Sequence, residues 1–407
     1  MTACIVCGGN TVREFLDLGR MSLANKFLTK EEVDAGGEVS YPLVVGFCDG
    51  CGHVQLTEHV APPAMFDNYL YISSMSDTLK EHLHDLARTM VGRLGLGAES
   101  LVLDIGSNDG TLLSGFRGEG VRTLGIDPAA NLAEMARRNG VETVTAYFGE
   151  ATARKLLAEH GPAALLTSTN SFPHIPDLQD FLKGVDIMMA PDGAMAIEAH
   201  YLRDLLEQNA FDTVYHEHVS YWALGPMKAL FARFGMEPVM VERLPLHHGQ
   251  LRVTVRRKGV APVDESVART LAEEKAMGLD RFETYEAFAK NALALRESLT
   301  SVLRDFAGKG QRVVGYGAPA KSSTLITFLG LGPDNLAYIA DRSPLKQGRY
   351  TPGAHIPVVS PERLLADQPD YVVLLAWNFA DEIMAQLADY TRKGGRFILP
   401  IPKVSIV

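Results

Sequence analysis

The sequence is short of three things: positive charge, long apolar runs and cysteine. Its net charge of −10 argues against a nucleic-acid-binding protein, because such proteins normally present a basic surface. No run approaches the roughly 20 consecutive apolar residues that span a bilayer. The opening residues, MTACIVCGGNTVREF, also lack the cationic and apolar regions of a signal peptide. We therefore expect a cytoplasmic monomer that contacts neither nucleic acid nor membrane.

Cysteine occurs only four times, near the start of the chain, as two C-x2-C pairs: Cys4 with Cys7, and Cys48 with Cys51. Two pairs of thiolates at this spacing suit a tetrahedral Zn²⁺. Two disulfides are the alternative, which a cytosolic location disfavours. A redox role lacks the surrounding βαβ pattern of thioredoxin-like motifs. Because four protein ligands would close the coordination shell, the sequence predicts a structural zinc.

What is present is an ordinary globular composition. The 407 residues, 46% hydrophobic and 22% charged, predict two or three domains with ample core. We assign residues 1–75 to a zinc-binding domain and 76–260 to a first α/β domain. Residues 261–407 are predicted to form a helical connector followed by a Rossmann-like α/β domain.

The first α/β domain carries a glycine-rich turn in LVLDIGSNDGTLL, residues 101–113. The pattern is D-x-G-x-x-x-G, with Asp104, Gly106 and Gly110, and it differs from the dinucleotide fingerprint. A glycine at this turn lets a nucleoside approach the backbone. The carboxylates of Asp104 and Asp109 would repel a phosphate, so the turn suits a ligand with an amine or a sulfonium.

The rest of this domain alternates strands and helices. A helix is predicted from its cap at Ser76 to Gly95, and the strand TLGID ends at Asp127, where a carboxylate can bind ribose hydroxyls. The strands AALLTSTN, GAMAIEA, MEPVMVERL and GQLRVTVRR follow, with helices between the earlier ones. The order predicts a doubly wound sheet with an antiparallel strand at its edge. A chance glycine pattern and an ordinary turn acid are the alternative interpretation.

Residues 263–308 are predicted to be helical. Their apolar face consists of Phe282, Tyr285, Phe288, Ala292, Leu295, Leu299, Val302 and Phe306. Such a face is most simply core that packs against neighbouring sheets.

A second glycine turn follows in RVVGYGAPAKSSTLITFL, residues 312–329. The free N–H groups of the helix after Gly317 could bind phosphate, and Lys321 and Ser322 could reach the same anion. No acidic residue is expected to intrude on this turn, and the next strand ends at Asp341. The basic residues of the following loop are Arg342, Lys346 and Arg349. We predict a diphosphate site; a structural turn beside a solvated basic loop is the alternative.

The stretch TVYHEHVSYW, residues 213–222, groups His216, Glu217 and His218. They could be metal ligands, with a third ligand from His174, His200, His247 or His248. They could be satisfied polar groups of the fold. They could also form an acid–base site, because imidazole accepts a proton at neutral pH and a carboxylate can orient a ring or anchor an amine. We favour the acid–base interpretation.

Residues 80–258 resemble the class I S-adenosylmethionine-dependent methyltransferases, on the glycine turn and the strand-end acid described above. The resemblance implies that Gly106 packs near the amino-acid part of the cofactor. It also implies that Asp127 binds the adenosine ribose and that 168–170 lie at the cofactor's edge. The cofactor-binding candidates are Asp104, Gly106, Asn108, Gly110, Asp127, Pro128, Ser168 and Asn170.

The whole chain resembles the nucleotide-deoxysugar C-methyltransferases of antibiotic biosynthesis. The resemblance rests on the two C-x2-C pairs, LDIGSNDGTLL, VYHEHVSYW, LHHGQLRV, GYGAPAKSSTLI and DRSPLKQGRYTPGAHIPV in this order. Within the family it resembles enzymes that methylate C-3′ of a dTDP-3-amino-4-keto-2,3,6-trideoxy sugar, as in tetronitrose formation. This implies that His218 removes the C-3′ proton next to the C-4′ ketone, giving an enolate. The residues expected to line that pocket are Tyr69, His174, Tyr215 and Glu217.

The substrate in this interpretation is held by the second α/β domain. Its candidate binding residues are Gly317, Lys321, Ser322, Asp341, Arg342, Lys346 and Tyr350. Three alternatives stay open. The enzyme could methylate C-5′ of a dTDP-4-keto-6-deoxy sugar, or the chain could bind both nucleotides without turnover. A zinc-ribbon protein that modifies RNA is opposed by the net charge of −10.

Overall fold

The computed structural model describes residues 2–67, 69, 71–246 and 249–407. Within them the strands are β1 (Val12–Ser22), β2 (Ser40–Cys48), β3 (Val54–Leu56), β4 (Leu101–Ile105), β5 (Arg122–Asp127), β6 (Thr143–Thr145), β7 (Ala163–Thr169), β8 (Met189–His200), β9 (Ser220–Tyr221), β10 (Met236–Leu244), β11 (Gln250–Arg257), β12 (Val313–Tyr316), β13 (Ile339–Ala340), β14 (Val358–Val359), β15 (Tyr371–Leu374), β16 (Arg396–Leu399) and β17 (Ser405–Ile406). The helices are α1 (Lys30–Ala35), α2 (Pro63–Phe66), α3 (Asp77–Leu94), α4 (Thr111–Gly118), α5 (Ala130–Arg138), α6 (Glu150–His160), α7 (Leu178–Met188), α8 (Leu202–Glu207), α9 (Leu224–Ala232), α10 (Glu265–Met277), α11 (Phe282–Gly308), α12 (Ala320–Leu329), α13 (Pro361–Asp367), α14 (Ala380–Gln386) and α15 (Ala388–Arg392).

The first sheet has the strand order β1-β2-β3-β9, with antiparallel pairing. Strands β1 to β3 come from the start of the chain, whereas β9 comes from the HEH stretch. Val54 pairs with Tyr221 and Gln55 pairs with Ser220. Backbone hydrogen bonds therefore tie the HEH stretch to the sheet of the zinc-binding segment.

The second sheet has the order β10-β11-β8-β7-β4-β5-β6. Strands β4 to β8 are parallel, and β11 runs antiparallel to both β8 and β10. The doubly wound fold is confirmed. The antiparallel strand lies one place in from the edge, because the chain first forms β10 at the edge and the hairpin then places β11 between β10 and β8. Since the chain passes from β4 to β5 on one side and places β7 on the other, a ligand crevice is expected at the carboxyl ends of β4 and β7.

The helix predicted before the second sheet is α3. The Ser76 hydroxyl accepts a hydrogen bond from the N–H of Leu79, which caps the helix start. Gly95 ends the helix in the left-handed conformation, with φ of 61°. Its apolar face is buried, and this face covers one side of the second sheet. The spacing of apolar residues thus predicted both the helix and its buried side.

The third sheet has the order β14-β13-β12-β15-β16-β17, parallel except for β17. The chain passes from β12 to β13 on one side and places β15 on the other. A second ligand crevice is therefore expected where β12 and β15 end. This arrangement confirms the predicted Rossmann-like domain.

Helix α11 joins the first sheet to the third. Near its start the Tyr285 ring packs at a tilt against Phe47 of β2, with ring centroids 4.9 Å apart. Near its end Phe306 stacks on Tyr371 of β15 at 4.0 Å. One hydrophobic cluster accordingly runs from the first sheet through α11 to α12 and the third sheet. The predicted apolar face is core, as expected from its spacing.

No helix in the described part of the chain is long and apolar enough to cross a membrane. The division into 1–75, 76–260 and 261–407 stays a prediction. The secondary structure adds that Ser220–Tyr221 pairs with the first sheet although it falls inside the second predicted domain.

Candidate active site and zinc site

The four cysteines lie together at the end of the first sheet. Cys4 Sγ lies 3.5 Å from Cys51 Sγ, and Cys7 Sγ lies 3.6 Å from Cys48 Sγ. All four sulfur atoms are within 4.8 Å of one another. A tetrahedral Zn²⁺ with Zn–S bonds of about 2.3 Å needs sulfur atoms about 3.8 Å apart, so this geometry fits zinc. The cysteines are free thiols rather than disulfides.

A glycine in a tight turn follows each of the two C-x2-C pairs. Gly8 and Gly52 have φ of 77° and 74°, and their N–H groups donate to the carbonyls of Cys4 and Cys48 at 2.8 Å. Such φ values favour glycine because a Cβ would be strained there. A glycine turn therefore follows each cysteine pair, and the two turns bring both thiol pairs into one cluster.

At the second sheet, the Gly106 turn and Asp127 meet as predicted. Gly106 has φ of 76°, and a Cβ there would lie 2.5 Å from Ser171 Cβ, so glycine is required. The Asp127 carboxylate accepts hydrogen bonds from the N–H of Asn108 at 2.8 Å and of Ala129 at 2.9 Å. Burial raises the pKa of Asp127. A strand-end carboxylate held beside a glycine turn fits the ribose of an adenosine cofactor.

The other carboxylates of this turn are committed to protein groups. Asp104 is buried and accepts a hydrogen bond from the Thr167 hydroxyl at 2.6 Å, and burial raises its pKa to about 7. Asp109 accepts from the hydroxyl of Thr111 at 2.6 Å and from the N–H of Ser74 at 3.2 Å. Asp109 therefore holds the first residue of α4 and the helical turn Ser73–Met75.

The other cofactor candidates surround the same crevice. Gly110 has φ of 82°, and a Cβ there would lie 2.9 Å from Val141. Pro128 directly follows Asp127 and is half-buried. The Ser168 hydroxyl lies 2.6 Å from the Ser171 hydroxyl. Asn170, with φ of 58°, accepts a hydrogen bond from the Gln250 amide at 2.6 Å. These residues follow or end β4, β5 and β7, the strands that border the predicted crevice.

His218 is held in one orientation by the backbone. Its Nδ1 lies 2.8 Å from the carbonyl oxygen of Thr213, which can only accept, so Nδ1 carries the proton. The lone pair is then on Nε2, which makes no hydrogen bond within the described part of the chain. Burial, reinforced by His174, lowers the pKa of His218 to about 3. The ring is therefore neutral at ordinary pH and can accept a proton at Nε2.

Aromatic rings pack around His218. The Tyr215 ring lies 4.0 Å from it, His200 5.1 Å and His174 5.2 Å, between centroids. Phe66 stacks on the far side of His174 at 5.5 Å. Burial lowers the pKa of His174 to about 3 and raises that of Tyr215 well above its ordinary value. His174 is therefore uncharged and Tyr215 keeps its hydroxyl proton.

Glu217 points to a different set of partners from His218. Its carboxylate accepts hydrogen bonds from the Tyr69 hydroxyl at 2.7 Å and from the Asn25 amide at 2.8 Å. Burial raises the pKa of Glu217 to about 7. The Glu217 carboxyl group can therefore gain or lose a proton near neutral pH in a buried site.

His216 faces away from the partners of Glu217 and His218. Its Nε2 lies 3.1 Å from the Pro42 carbonyl, and its ring meets Tyr41 edge-on. In the part of the chain that the structure describes, only the four cysteines are grouped with metal-binding geometry. His247 and His248, which were candidate ligands, lie outside the described residues. The Nδ1 of His216 is buried and makes no hydrogen bond to any described residue, so only one ring nitrogen of His216 is satisfied by the fold.

The second glycine turn is built like the first. Gly317 has φ of 85°, and a Cβ there would lie 2.6 Å from Ala376. Asp341 accepts hydrogen bonds from the N–H of Ala318 at 2.6 Å and of Ser343 at 2.7 Å. The expectation that no acidic residue intrudes on this turn is wrong, because a strand-end side chain reaches across from the neighbouring strand.

Two lysines approach this turn. The Lys321 ammonium lies 4.1 Å from the ring centroid of Trp377, and Lys346 donates to the Ala318 carbonyl at 2.7 Å. Burial lowers the pKa of both, that of Lys321 to about 8. The Ser322 hydroxyl is buried and donates to the Pro319 carbonyl.

The remaining substrate candidates lie farther along the same loop. Arg342 is exposed beside Asp341. Tyr350 exchanges backbone hydrogen bonds of 2.8 and 3.0 Å with Leu28, so it links the loop to the zinc-binding segment. The side of the turn next to Lys321 and Lys346 is therefore the part that offers half-buried positive charge.

The sequence did not indicate four residues that hold the HEH stretch in place: Asn25, Asp212, Thr213 and Trp377. Asn25 and Thr213 act through one hydrogen bond each, and no sequence pattern marks such a partner. The Trp377 indole donates to the Asp212 carboxylate at 2.7 Å. A tryptophan directly after the apolar run YVVLLA, at the end of a parallel strand, was a usable signal.

Comparison with known proteins covers nearly the whole chain. The family described as C-methyltransferase C-terminal domain matches residues 245–402, a zinc binding domain family matches 4–66, and a methyltransferase domain family matches 75–241. The C-methyltransferase NovU of Streptomyces niveus is 38% identical over 405 residues, covering 99% of this chain and 96% of NovU.

Solved structures align with about half of the chain. The PH0226 protein of Pyrococcus horikoshii is 17% identical, with a TM-score of 0.38, and covers 49% of this chain and 97% of its own. Magnesium protoporphyrin IX methyltransferase of Synechocystis with bound S-adenosylmethionine is 13% identical, with a TM-score of 0.32. That alignment covers 47% of this chain and 86% of the Synechocystis one.

Proposed function

The chain belongs to the S-adenosylmethionine-dependent C-methyltransferases of deoxysugar biosynthesis, and we propose that it methylates C-3′ of a dTDP-3-amino-4-keto-2,3,6-trideoxy sugar. The observation that carries this proposal is the position of the HEH stretch. The stretch pairs with the first sheet through β9. Its His218 packs against His174, which follows β7 of the second sheet. The carbonyl of its Val214 accepts a hydrogen bond from Thr324 of α12, which follows β12 of the third sheet. A base on this stretch can reach a substrate held between the two crevices.

S-adenosylmethionine supplies the electrophilic methyl group. Its site is the Gly106 turn and Asp127, with Asn108, Gly110, Pro128, Ser168 and Asn170 around it. A structural zinc, held by the four cysteines, has no part in the reaction.

His218 removes the proton from C-3′ of the sugar. The C–H bond breaks, the proton moves to Nε2, and the electron pair delocalises onto the C-4′ oxygen as an enolate. Nδ1 keeps its proton throughout because it donates to the Thr213 carbonyl. Burial disfavours the imidazolium by itself, so the adjacent enolate charge has to stabilise it as an ion pair in a low-dielectric pocket.

Tyr215 is the best-suited donor to the enolate oxygen. Its ring lies 4.0 Å from that of His218, and its raised pKa keeps the hydroxyl protonated. The Tyr69 hydroxyl is already committed to Glu217. A donor aimed at the developing oxyanion typically contributes several kcal/mol to such a step, about 2.7–4.

The choice of C-3′ is supported by Glu217 and by the family resemblance. A buried carboxylate that retains free lone pairs beside Tyr69 and Asn25 is an acceptor for the 3′-amino group of the sugar. Lys321 and Lys346, at the mouth of the second crevice, supply positive charge for the diphosphate, with Gly317 allowing close backbone approach.

The test is incubation of the purified protein with S-adenosylmethionine and the dTDP-3-amino-4-keto sugar. We expect a product heavier by one methyl group in place of one hydrogen, with NMR assigning the methyl to C-3′. A methyl at C-5′, the other carbon beside the ketone, would reject the position but keep the mechanism. Folded protein that binds both ligands and forms no product would reject the enzyme.

A further inference from the structure

Asp212 is a fully buried carboxylate at the start of the HEH stretch, in the helical turn Phe211–Thr213. Its Oδ2 accepts the indole N–H of Trp377 at 2.7 Å. Its Oδ1 is buried and has no hydrogen-bond partner among the described residues. A buried, half-satisfied carboxylate is costly to the fold, so its presence at this position calls for a role.

Lys321 completes a cluster with Asp212 and Trp377. The Lys321 ammonium lies 4.1 Å above the indole ring of Trp377, and the charge of Asp212 favours its cationic form. Trp377 follows β15 and Lys321 lies in the first turn of α12, so both border the second crevice. The side chains of Trp377 and Lys321 therefore connect the Asp212 carboxylate to the region proposed to hold the substrate diphosphate.

The backbone next to Asp212 holds the base. The Thr213 carbonyl accepts the Nδ1 proton of His218 at 2.8 Å. The next carbonyl, of Val214, accepts the Thr324 hydroxyl of α12 at 2.7 Å. A displacement of the turn Phe211–Thr213 would move the Thr213 carbonyl. That carbonyl sets the orientation of the His218 ring and keeps its proton on Nδ1.

We infer that Asp212 is a positioning residue that links the diphosphate end of the substrate site to His218. The inference rests on the proposed function, which gives Lys321 and His218 their roles. Asp212 anchors the turn to Trp377 by a hydrogen bond, and its charge acts on Lys321 by electrostatic attraction. The turn presents the Thr213 carbonyl to His218. Because Asp212 and the diphosphate both attract Lys321, the carboxylate also moderates nucleotide affinity.

The test is Asp212→Asn, which keeps an oxygen acceptor for Trp377 and removes only the charge. We expect kcat to fall roughly 10- to 100-fold, the loss typical of a misplaced catalytic group. The dissociation constant for dTDP, measured by calorimetry, should stay the same or tighten. Exchange of the substrate C-3′ proton with D₂O, followed by NMR without S-adenosylmethionine, should slow by the same factor as kcat.

A double-mutant cycle tests whether Asp212 acts through His218. Adding Asp212→Asn to His218→Asn should lower the residual rate no further, because the base is already gone. Trp377→Phe, which keeps the ring and removes the donor, should change kcat in the same direction. Asp204→Asn is the control for neutralising a buried carboxylate, since Asp204 pairs with Arg243. It should lower the melting temperature and leave both kcat and the rate of proton exchange unchanged.

Three outcomes would overturn the link. Asp212→Asn at full kcat would do so, as would additive effects in the cycle, or a loss of dTDP affinity equal to the loss of kcat. Failure of the proposed function looks different. If His218→Asn keeps the wild-type rate, His218 is not the base, and both proposals fall together. If His218→Asn is inactive while Asp212→Asn is fully active, only the positioning role is wrong.

Discussion

Replacement of His218 by asparagine isolates the proton-accepting atom from everything else that this residue does. The side-chain amide of asparagine can still donate to the Thr213 carbonyl, so the hydrogen bond that His218 Nδ1 makes at 2.8 Å has a substitute. What disappears is Nε2 and its lone pair. A positioned base is typically worth ~10²–10⁴-fold in rate, or about 2.7–5.4 kcal/mol of activation free energy. We expect kcat to fall within that range.

The assay measures methyl transfer by mass spectrometry under saturating substrate, together with calorimetric affinities for S-adenosylmethionine and dTDP. Both affinities should be unchanged, because the residues proposed to bind them lie on other elements. His216→Asn is the matched control: it removes the neighbouring imidazole, which lies against the Pro42 carbonyl, and it should leave kcat within roughly threefold of wild type.

A loss of less than about tenfold in His218→Asn would refute the base assignment, since it falls below the contribution of any positioned base. An equal loss in His216→Asn would refute it too, because the effect would then come from disturbing the stretch rather than from losing Nε2.

Three further predictions concern the other sites. Asp127→Ala removes the acceptor of two backbone N–H groups and should weaken S-adenosylmethionine binding roughly 10- to 100-fold by calorimetry, with dTDP binding unchanged; equal loss of both affinities would contradict two separate sites. Because the pKa of Glu217 is raised to about 7, the residue is a carboxylate above that pH and a neutral acid below it, so kcat/KM should fall as the pH drops below 7. This limb should vanish in Glu217→Gln; its persistence would assign the titration to another group. Chelation of zinc, or Cys48→Ser, should lower the melting temperature by several degrees, since closed thiolate sites contribute directly to folding; an unchanged melting curve after verified zinc loss would contradict the structural role.

The sequence predicted features whose cause is local. Ser76 caps the start of α3 by accepting a hydrogen bond from the N–H of Leu79, three residues along the chain. Gly95 ends the helix through its own left-handed backbone conformation. The turns after the two C-x2-C pairs, at Gly8 and Gly52, are likewise short-range. Asp127 was found because parallel strands bring their carboxyl ends to one edge, so a strand-end acid has a predictable neighbour.

Features that depend on distant partners were not predicted. Strand β9 has two residues and no periodicity, and it forms because β3, some 165 positions earlier, leaves an edge that Tyr221 and Ser220 fill. The contact of Asp341 with the Gly317 turn was not expected, although the strand-end rule that applies to Asp127 applies to it as well. Glu217 was a candidate from the sequence, but its hydrogen bonds were not predicted. Their donors, Asn25 and Tyr69, lie far from Glu217 in the sequence and meet it only in the folded chain.

The cluster that runs through α11 has a consequence for how the chain is made. On the ribosome the N-terminal segment emerges first, and early segments usually fold as soon as they are complete. Here the apolar side of β1 and β2 is covered by residues that are synthesised more than 200 positions later, such as Tyr285 against Phe47. That side of the N-terminal sheet therefore stays uncovered until translation has passed the start of α11.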